Sequence, residues 1–184
     1  MLTILHSHTE GSSLRGISRI TGLAEGTVVT IVRAVSVKAQ LIHNAQIQQV
    51  KSKQVSTDEL WSFAFKKQKN CLPDEVEAGD YWIGLSLDTC SGLILSSRIG
   101  KHTDVFIEEL VVNTEGKTDC QAWDTDGWGG YERVLPPAAE HYIGKDKTQR
   151  LERTNGIVGS RQLGGIADKT NLARCGSRQK WLRD

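Results

Sequence analysis

Three acidic positions far apart in the chain have the residue type for divalent-metal chemistry on phosphates: Asp58, the pair Asp124 and Asp126, and Glu152. Two-metal phosphoryl transfer needs carboxylates that converge in space, because two cations about 3.5–4 Å apart stabilise the attacking and leaving oxygens together. All-oxygen ligands suit Mg²⁺ or Mn²⁺, so two such ions are the expected cofactors. Taken singly, each acid has an ordinary explanation. An Asp ahead of a strand is usually a cap or turn residue, and a Glu on a Lys/Arg-rich helix is usually an exposed ion-pair partner. The five histidines show no metal-ligand spacing, and Cys71, Cys90, Cys120 and Cys175 form no CxxC pair. A zinc ribbon is therefore not expected, and the cysteines read as reduced, buried thiols.

The elements that would position these acids follow from hydrophobic patterning. Glu59–Phe65 alternates aromatic residues, Tyr81–Asp88 alternates through Ile83, Leu85 and Leu87, and Leu93–Ile99 follows a turn at Gly92. Three adjacent strands with short connections predict an antiparallel meander. Thr103 is placed to cap a helix running to about Val112. Cys120–Thr125 reads as a fourth strand, with Gly127 behind Asp126 allowing a sharp turn. Tyr131–Leu135 reads as a short helix stopped by Pro136 and Pro137, Glu140–Ile143 as a fifth strand, and Thr148–Val158 as a helix carrying Glu152. The order β-β-β-α-β-α-β-α is an α/β class with a mixed sheet, the order of the ribonuclease H-like fold. Asp58 then stands at the start of the first strand, Asp126 just past the fourth, and Glu152 on the helix after the fifth. Trp61, Trp82, Trp123 and Trp128 are expected to pack in or near the core.

Ahead of this core, Ser12 or Ser13 can cap a helix in which Leu14, Ile17 and Ile20 recur on one face; Gly22 ends it, and a second helix begins at Glu25–Thr27. Helix, Gly-containing turn, helix is the helix-turn-helix pattern, with Arg15, Arg19 and Arg33 as candidate phosphate contacts. The same pattern also describes a plain helical hairpin packed on the core. Residues 36–56 are polar, Gln-rich and free of Gly and Pro, and either extend the second helix or link it onward. The expected organisation is a helix-turn-helix module over 1–35, a linker or helical extension over 36–56, a catalytic core over 57–158 and a poorly ordered tail over 159–184.

At 184 residues, with 38% hydrophobic and 24% charged residues, the chain can build one medium domain or a small module plus a core. The net charge of +1 is unevenly spread: residues 1–55 and 156–184 each carry six basic against two acidic residues, leaving 56–155 at −7. Basic flanks around an acidic centre suit a protein that grips phosphates at its edges. No apolar run reaches the roughly 20 residues of a membrane span, and no signal peptide is evident, which points to a cytoplasmic protein with no membrane partner.

The blocks TDELWSF (Thr57–Phe63), DTDGWGGYERVLP (Asp124–Pro136) and GKDKTQRLERTNG (Gly144–Gly156) resemble the catalytic-core signatures of bacterial transposases of the "insertion sequence one" family. The block GSSLRGISRITGL (Gly11–Leu23) is similar to that family's helix-turn-helix. The resemblance runs from about Thr9 to Val158. It implies that Asp58, Asp126 and Glu152 are a metal-binding DDE triad, with Asp126 preferred to Asp124. It places Asn155 on the active-site helix and implies that Lys145, Lys147, Arg150 and Arg153 hold the DNA backbone. The implied activity is metal-dependent strand cleavage and strand transfer at the ends of an insertion sequence. The implied partners are double-stranded DNA, as terminal inverted repeats and as target, and further copies of the chain assembled on it. The implied setting is a bacterial, nucleoid-associated one.

Two departures accompany the resemblance. A cysteine-rich zinc ribbon, frequent in the family, is missing ahead of the helix-turn-helix. From about Gly159 the tail is Gly-rich and patternless. Codons allowed for Gly165 to Trp181 permit a neighbouring frame reading WHRRQNKFGKVWKQTKV, which looks like the family's continuation. The expectation is therefore a one- or two-base shift between Val158 and Gly164 that removes C-terminal support from the helix of Glu152. Two rival readings stand beside the transposase: a catalytically inactive DNA-binding remnant that occupies or represses transposon ends, and a nuclease acting on RNA–DNA hybrids.

Overall fold

The structure, a computed structural model, describes residues 1–144 and 149–166, with side chains described to residue 144 and over 150–159. Two compact units emerge: residues 1–46 with the described chain from Gly156 onward, and Ile47–Asn155.

The first unit contains helices α1 (Leu2–Thr9), α2 (Leu14–Thr21) and α3 (Glu25–Gln46). Ser13 is the residue that caps α2: its hydroxyl accepts from the Gly16 N–H at 3.1 Å. Gly22 ends α2 in the left-handed region at φ 70°, a conformation costly for any residue with a Cβ. The chain then turns through 114° into α3, within the range of a helix-turn-helix. Ile4, Leu14, Ile17, Val28 and Val32 form the small core. Ile20, expected on the same face as Leu14 and Ile17, is 64% exposed. Two steps of three residues carry it about 120° around a helix of 3.6 residues per turn, out of the apolar stripe. Helix α1 and its contribution of Ile4 are additions that the sequence pattern did not announce. Helix α3 runs through residue 46, well into the segment read as extension or linker.

The second unit is built on a five-stranded sheet in the order β3-β2-β1-β4-β5. Strands β1 (Val55–Ala64), β2 (Gly79–Asp88) and β3 (Ile94–Gly100) form the antiparallel meander. Helix α4 (Asp104–Glu115) follows, capped by Thr103, whose hydroxyl accepts from the Phe106 N–H. Strand β4 (Ala122–Thr125) lies parallel to β1, and helix α5 (Gly129–Val134) leads to β5 (Glu140–Ile143), parallel to β4. Helix α6 (Gln149–Ile166) comes last, its turns through Asn155 belonging to this unit. An antiparallel meander extended on one side by parallel strands is the ribonuclease H-like arrangement that the element order predicted.

The core joins Val55, Leu95, Phe106, Ile107, Val111, Cys120, Trp123 and Tyr131. Helix α4 sits close on the sheet because Gly84 has no side chain: a Cβ there would meet Leu110 Cδ2 at 2.8 Å and Phe106 Cζ at 2.9 Å. The unit opens at Ile47 rather than at residue 57, since Ile47 and Val50 pack on this core and the Val50 N–H donates to the Lys117 carbonyl at 2.8 Å. Strand β1 likewise starts at Val55, so Asp58 is its fourth residue and not its first. Helix α6 continues to Ile166, through residues read as tail, where Arg161, Gln162 and Leu163 are good helix formers. Cys120 is buried, but Cys90 is exposed on the turn after β2 and Cys71 is half-buried, so buried thiols are the rule for one of the three described. Among the described residues no single helix is long and apolar enough to cross a membrane.

Candidate metal centre

Strand β4 pairs with β1 only at Val55 and Ser56, so from Thr57 onward that edge of β1 is bare. Asp58 and Glu59 lie on this bare stretch, and Asp126 follows the last residue of β4. The register places Asp58 opposite Leu85 and Glu59 opposite Gly84, and successive strand residues point to opposite faces. Glu59 thus starts from the face under α4, and Asp58 from the face where Asn155 of α6 meets it. At the open edge the two side chains converge with Asp126: one carboxylate oxygen from each lies within 4.8 Å of the others.

The cluster is held from several sides. The Asn155 amide Nδ2 donates to Asp58 Oδ2 at 2.7 Å. Asp126 Oδ1 accepts from the Trp128 N–H at 2.9 Å, and Thr125 Oγ1 donates to the Asp126 carbonyl at 2.8 Å. These bonds, rather than a glycine conformation, make the turn, because Gly127 is not among the residues with positive φ. Tyr131, fully buried on α5, donates its hydroxyl to Glu59 Oε1. Trp128 stacks on His102 (3.8 Å between centroids), which stacks on Trp82 (4.3 Å). Trp123 is core and Trp82 and Trp128 pack against it, whereas Trp61 is 38% exposed on the outer part of β1.

The electrostatics follow from this crowding. Burial raises the Asp58 carboxyl above its ordinary value, and the charges of Asp126 and Glu152 add to the rise while the Asn155 amide opposes it. Burial pushes Glu59 up to about 7, with Asp126 and Asp58 adding, against the lowering effect of the Tyr131 hydroxyl. No salt bridge joins Asp58, Glu59 or Asp126 to a base among the described residues. The Asn155 Oδ1 atom is buried and has no donor among the described residues. Hard oxygen ligands of one sign, with an acceptor lacking a proton, fit a hydrated divalent cation, which brings both positive charge and O–H donors.

Asp58, Asp126 and Asn155, three of the residues singled out in the sequence, meet here. Glu152 is exposed on α6, outside the group whose oxygens lie within 4.8 Å, though its charge reaches Asp58. Asp124 is instead a buried sheet residue, opposite Ser56 and accepting from Gln54 Nε2 at 2.9 Å. Arg150 donates to the Cys90 carbonyl on the β2–β3 turn, and Arg153 is exposed on α6. Lys145 and Lys147 lie outside the described residues. In the first unit Arg15 pairs with Glu25 at 3.5 Å, both well exposed; Arg19 is exposed and Arg33 half-buried. Sequence reasoning missed Glu59 and Tyr131. The only available signal was the adjacency of Asp58 and Glu59, which strand alternation argues against using together.

With this geometry in place, comparison with known proteins is informative. The IS1 transposase family model matches residues 54–178. The chain belongs to the IS1 transposase family. The match covers the meander, all three acids of the expected triad and Glu59, and it continues past Gly159 into the Gly-rich tail, beyond the stretch expected to resemble the family. Residues 1–53, with the helix-turn-helix, lie outside it. The insertion element iso-IS1n protein InsB of Shigella dysenteriae is 32% identical over 98 residues, 53% of this chain and 66% of that protein. The chain thus spans just under two thirds of the curated relative it matches. Among solved structures, the Mos1 strand transfer complex gives a TM-score of 0.30 at 10% identity, over 92% of this chain and 74% of that one. At that level it adds nothing to the topology described above.

Proposed function

We propose that this member of the IS1 transposase family cuts DNA at insertion-sequence ends and joins the freed ends to target DNA. Hydrolysis of a phosphodiester at the element's end would release a 3′-hydroxyl, which attacks a target phosphodiester by transesterification. Asp58 and Asp126, with Glu152 approaching from α6, would hold two Mg²⁺ or Mn²⁺ ions. Bound there, such ions supply charge stabilisation for the attacking and leaving oxygens.

The chain's own residues prepare that centre. Asn155 and the Glu59 N–H orient the Asp58 carboxylate, and the Trp128 N–H fixes one Asp126 oxygen, so both carboxylates are held in place for a ligand. The Trp82–His102–Trp128 stack stiffens the loop behind Asp126. In the first unit, α3 would enter the major groove, with Arg15, Arg19 and Arg33 on phosphates. Arg150, Arg153, Lys145 and Lys147 are the proposed backbone contacts near the centre, and assembly of further copies on paired DNA ends completes the reading.

The observation that carries this proposal is the convergence of Asp58, Asp126 and Asn155, drawn from three elements, inside the family-matched stretch. Strand transfer tests it: purified protein, a pre-cut transposon-end duplex and a supercoiled target, with Mn²⁺ or EDTA. Joined product requiring both Mn²⁺ and Asp126 is expected; joining by Asp126→Asn would overturn the proposal. A second reading, the inactive DNA-binding remnant, is favoured by the position of Glu152 outside the close carboxylate group. End binding without any joining, by wild type as well as variant, would select it.

A further inference from the structure

We propose that Glu59 is a further ligand of the cation held by Asp58 and Asp126, and that Tyr131 is the positioning residue that turns the Glu59 carboxylate toward it. This inference rests on reading the acidic cluster as a metal centre.

Neighbouring residues on a strand ordinarily serve opposite faces, so only one of them reaches a given site. The unpaired edge of β1 removes that restriction, because β4 pairs with β1 only at Val55 and Ser56 and leaves Asp58 and Glu59 without a strand partner on that side. Glu59 brings its carboxylate to the edge from the α4 face, and Asp58 from the α6 face. A cation at the edge would then be gripped from both sides of the sheet.

Tyr131 makes the arrangement definite. Its ring is fully buried in the core cluster and meets Trp128 edge-on at 6.0 Å, so its hydroxyl has a fixed place. That hydroxyl donates to one Glu59 oxygen, Oε1. Among the described residues the second oxygen has no such donor, and it is the one offered to a ligand. A carboxylate beside two others of the same sign, with no base paired to it among the described residues, is a costly thing to bury for packing alone. The independent sign of a missing ligand is Asn155: the residue is 8% exposed, its Nδ2 holds Asp58, and its Oδ1 has no donor among the described residues.

The test is Mn²⁺ titration of the full 184-residue chain, reading the free-ion electron paramagnetic resonance signal. Wild type is compared with Glu59→Gln, Tyr131→Phe and Asp126→Asn, each also melted in EDTA. Glu59→Gln is expected to weaken Mn²⁺ binding ~10-fold or more, and Tyr131→Phe several-fold, on the scale of ligand and outer-shell losses. Tyr131→Phe keeps the buried ring, so its melting midpoint in EDTA should hold; a purely packing role predicts unchanged affinity as well. It also carries the test should Glu59→Gln not fold. Wild-type affinity in Glu59→Gln and Tyr131→Phe, with binding lost in Asp126→Asn, overturns the assignment of Glu59 and leaves the metal centre standing. Undiminished binding by Asp126→Asn overturns the metal centre itself.

Discussion

Two groups of buried acid on the same sheet are treated in opposite ways. Asp88, at the end of β2, accepts from Ser52 Oγ at 2.5 Å and from the Ser91 N–H and hydroxyl at 2.7 and 2.6 Å. Those donors hold its carboxyl below the ordinary 3.8 even though burial acts the other way. At the open edge of β1, Asp58 and Glu59 are raised instead, because burial and neighbouring carboxylates outweigh the Glu59 N–H and the Asn155 amide at Asp58 and the Tyr131 phenol at Glu59. The fold can surround a carboxylate with donors when the purpose is structural. Where it leaves three carboxylates without a base among the described residues, a cation is the partner we propose.

The largest expected difference is in activity. Asp126→Asn keeps the acceptor for the Trp128 N–H but removes a charge, and strand transfer should fall below detection. In EDTA the same change should leave the melting midpoint unchanged or raise it, since it relieves like-charge repulsion. Asp88→Ala should behave in the reverse sense: Mn²⁺ affinity is kept, and stability falls by about 1.5–3 kcal/mol, the scale of a hydrogen-bonded charged group. Denaturant melts of the two variants side by side check both statements. If Asp126→Asn destabilises as much as Asp88→Ala, the contrast between the two groups fails.

The Asp88 contribution also has a pH signature. Its folded value is lowered, so its stabilisation is present above 3.8 and is lost as pH falls through the lowered folded value. Melts of wild type and Asp88→Ala should therefore converge in acid and diverge toward neutrality; a constant gap would contradict the linkage. A smaller effect belongs to Asn155→Ala, which should weaken Mn²⁺ binding ~10-fold by freeing Asp58, as lost outer-shell contacts do. His102→Ala removes two ring stacks and should cost about 0.5–1.5 kcal/mol of stability with a slight loss of metal affinity, read by thermal melting. A larger effect on metal binding than Asn155→Ala would mean that the stack, and not the amide, sets the cluster.

The sequence was most legible where local pattern and fold agree. The alternation through Ile83, Leu85 and Leu87 marked β2, the Thr103 cap marked α4, and Glu140–Ile143 was read residue for residue as β5. Asp58 and Asp126 could be named because acids stood beside the first and fourth strands within the blocks that resemble the family, and Asn155 because that resemblance placed it on the active-site helix. Glu59 was hidden by the rule of strand alternation, which holds inside a paired sheet and lapses at a bare edge. Nothing local announces where β4 stops pairing with β1, since that depends on the lengths of two strands far apart in the chain. Ile20 misled because spacing of three continued too far around the helix, and Trp61 because an aromatic residue on a strand looks the same buried or exposed. Asp126 was preferred to Asp124 on the resemblance alone, and the register, which puts Asp124 opposite Ser56, gives a physical reason for that preference.

The most direct measurement is a crystal of the protein grown with Mn²⁺ and examined by anomalous scattering. The account predicts an anomalous peak at the open edge of β1, bonded to carboxylate oxygens of Asp58 and Asp126. A well-diffracting crystal with Mn²⁺ bound elsewhere, or with those carboxylates bonded only to protein groups, would contradict it.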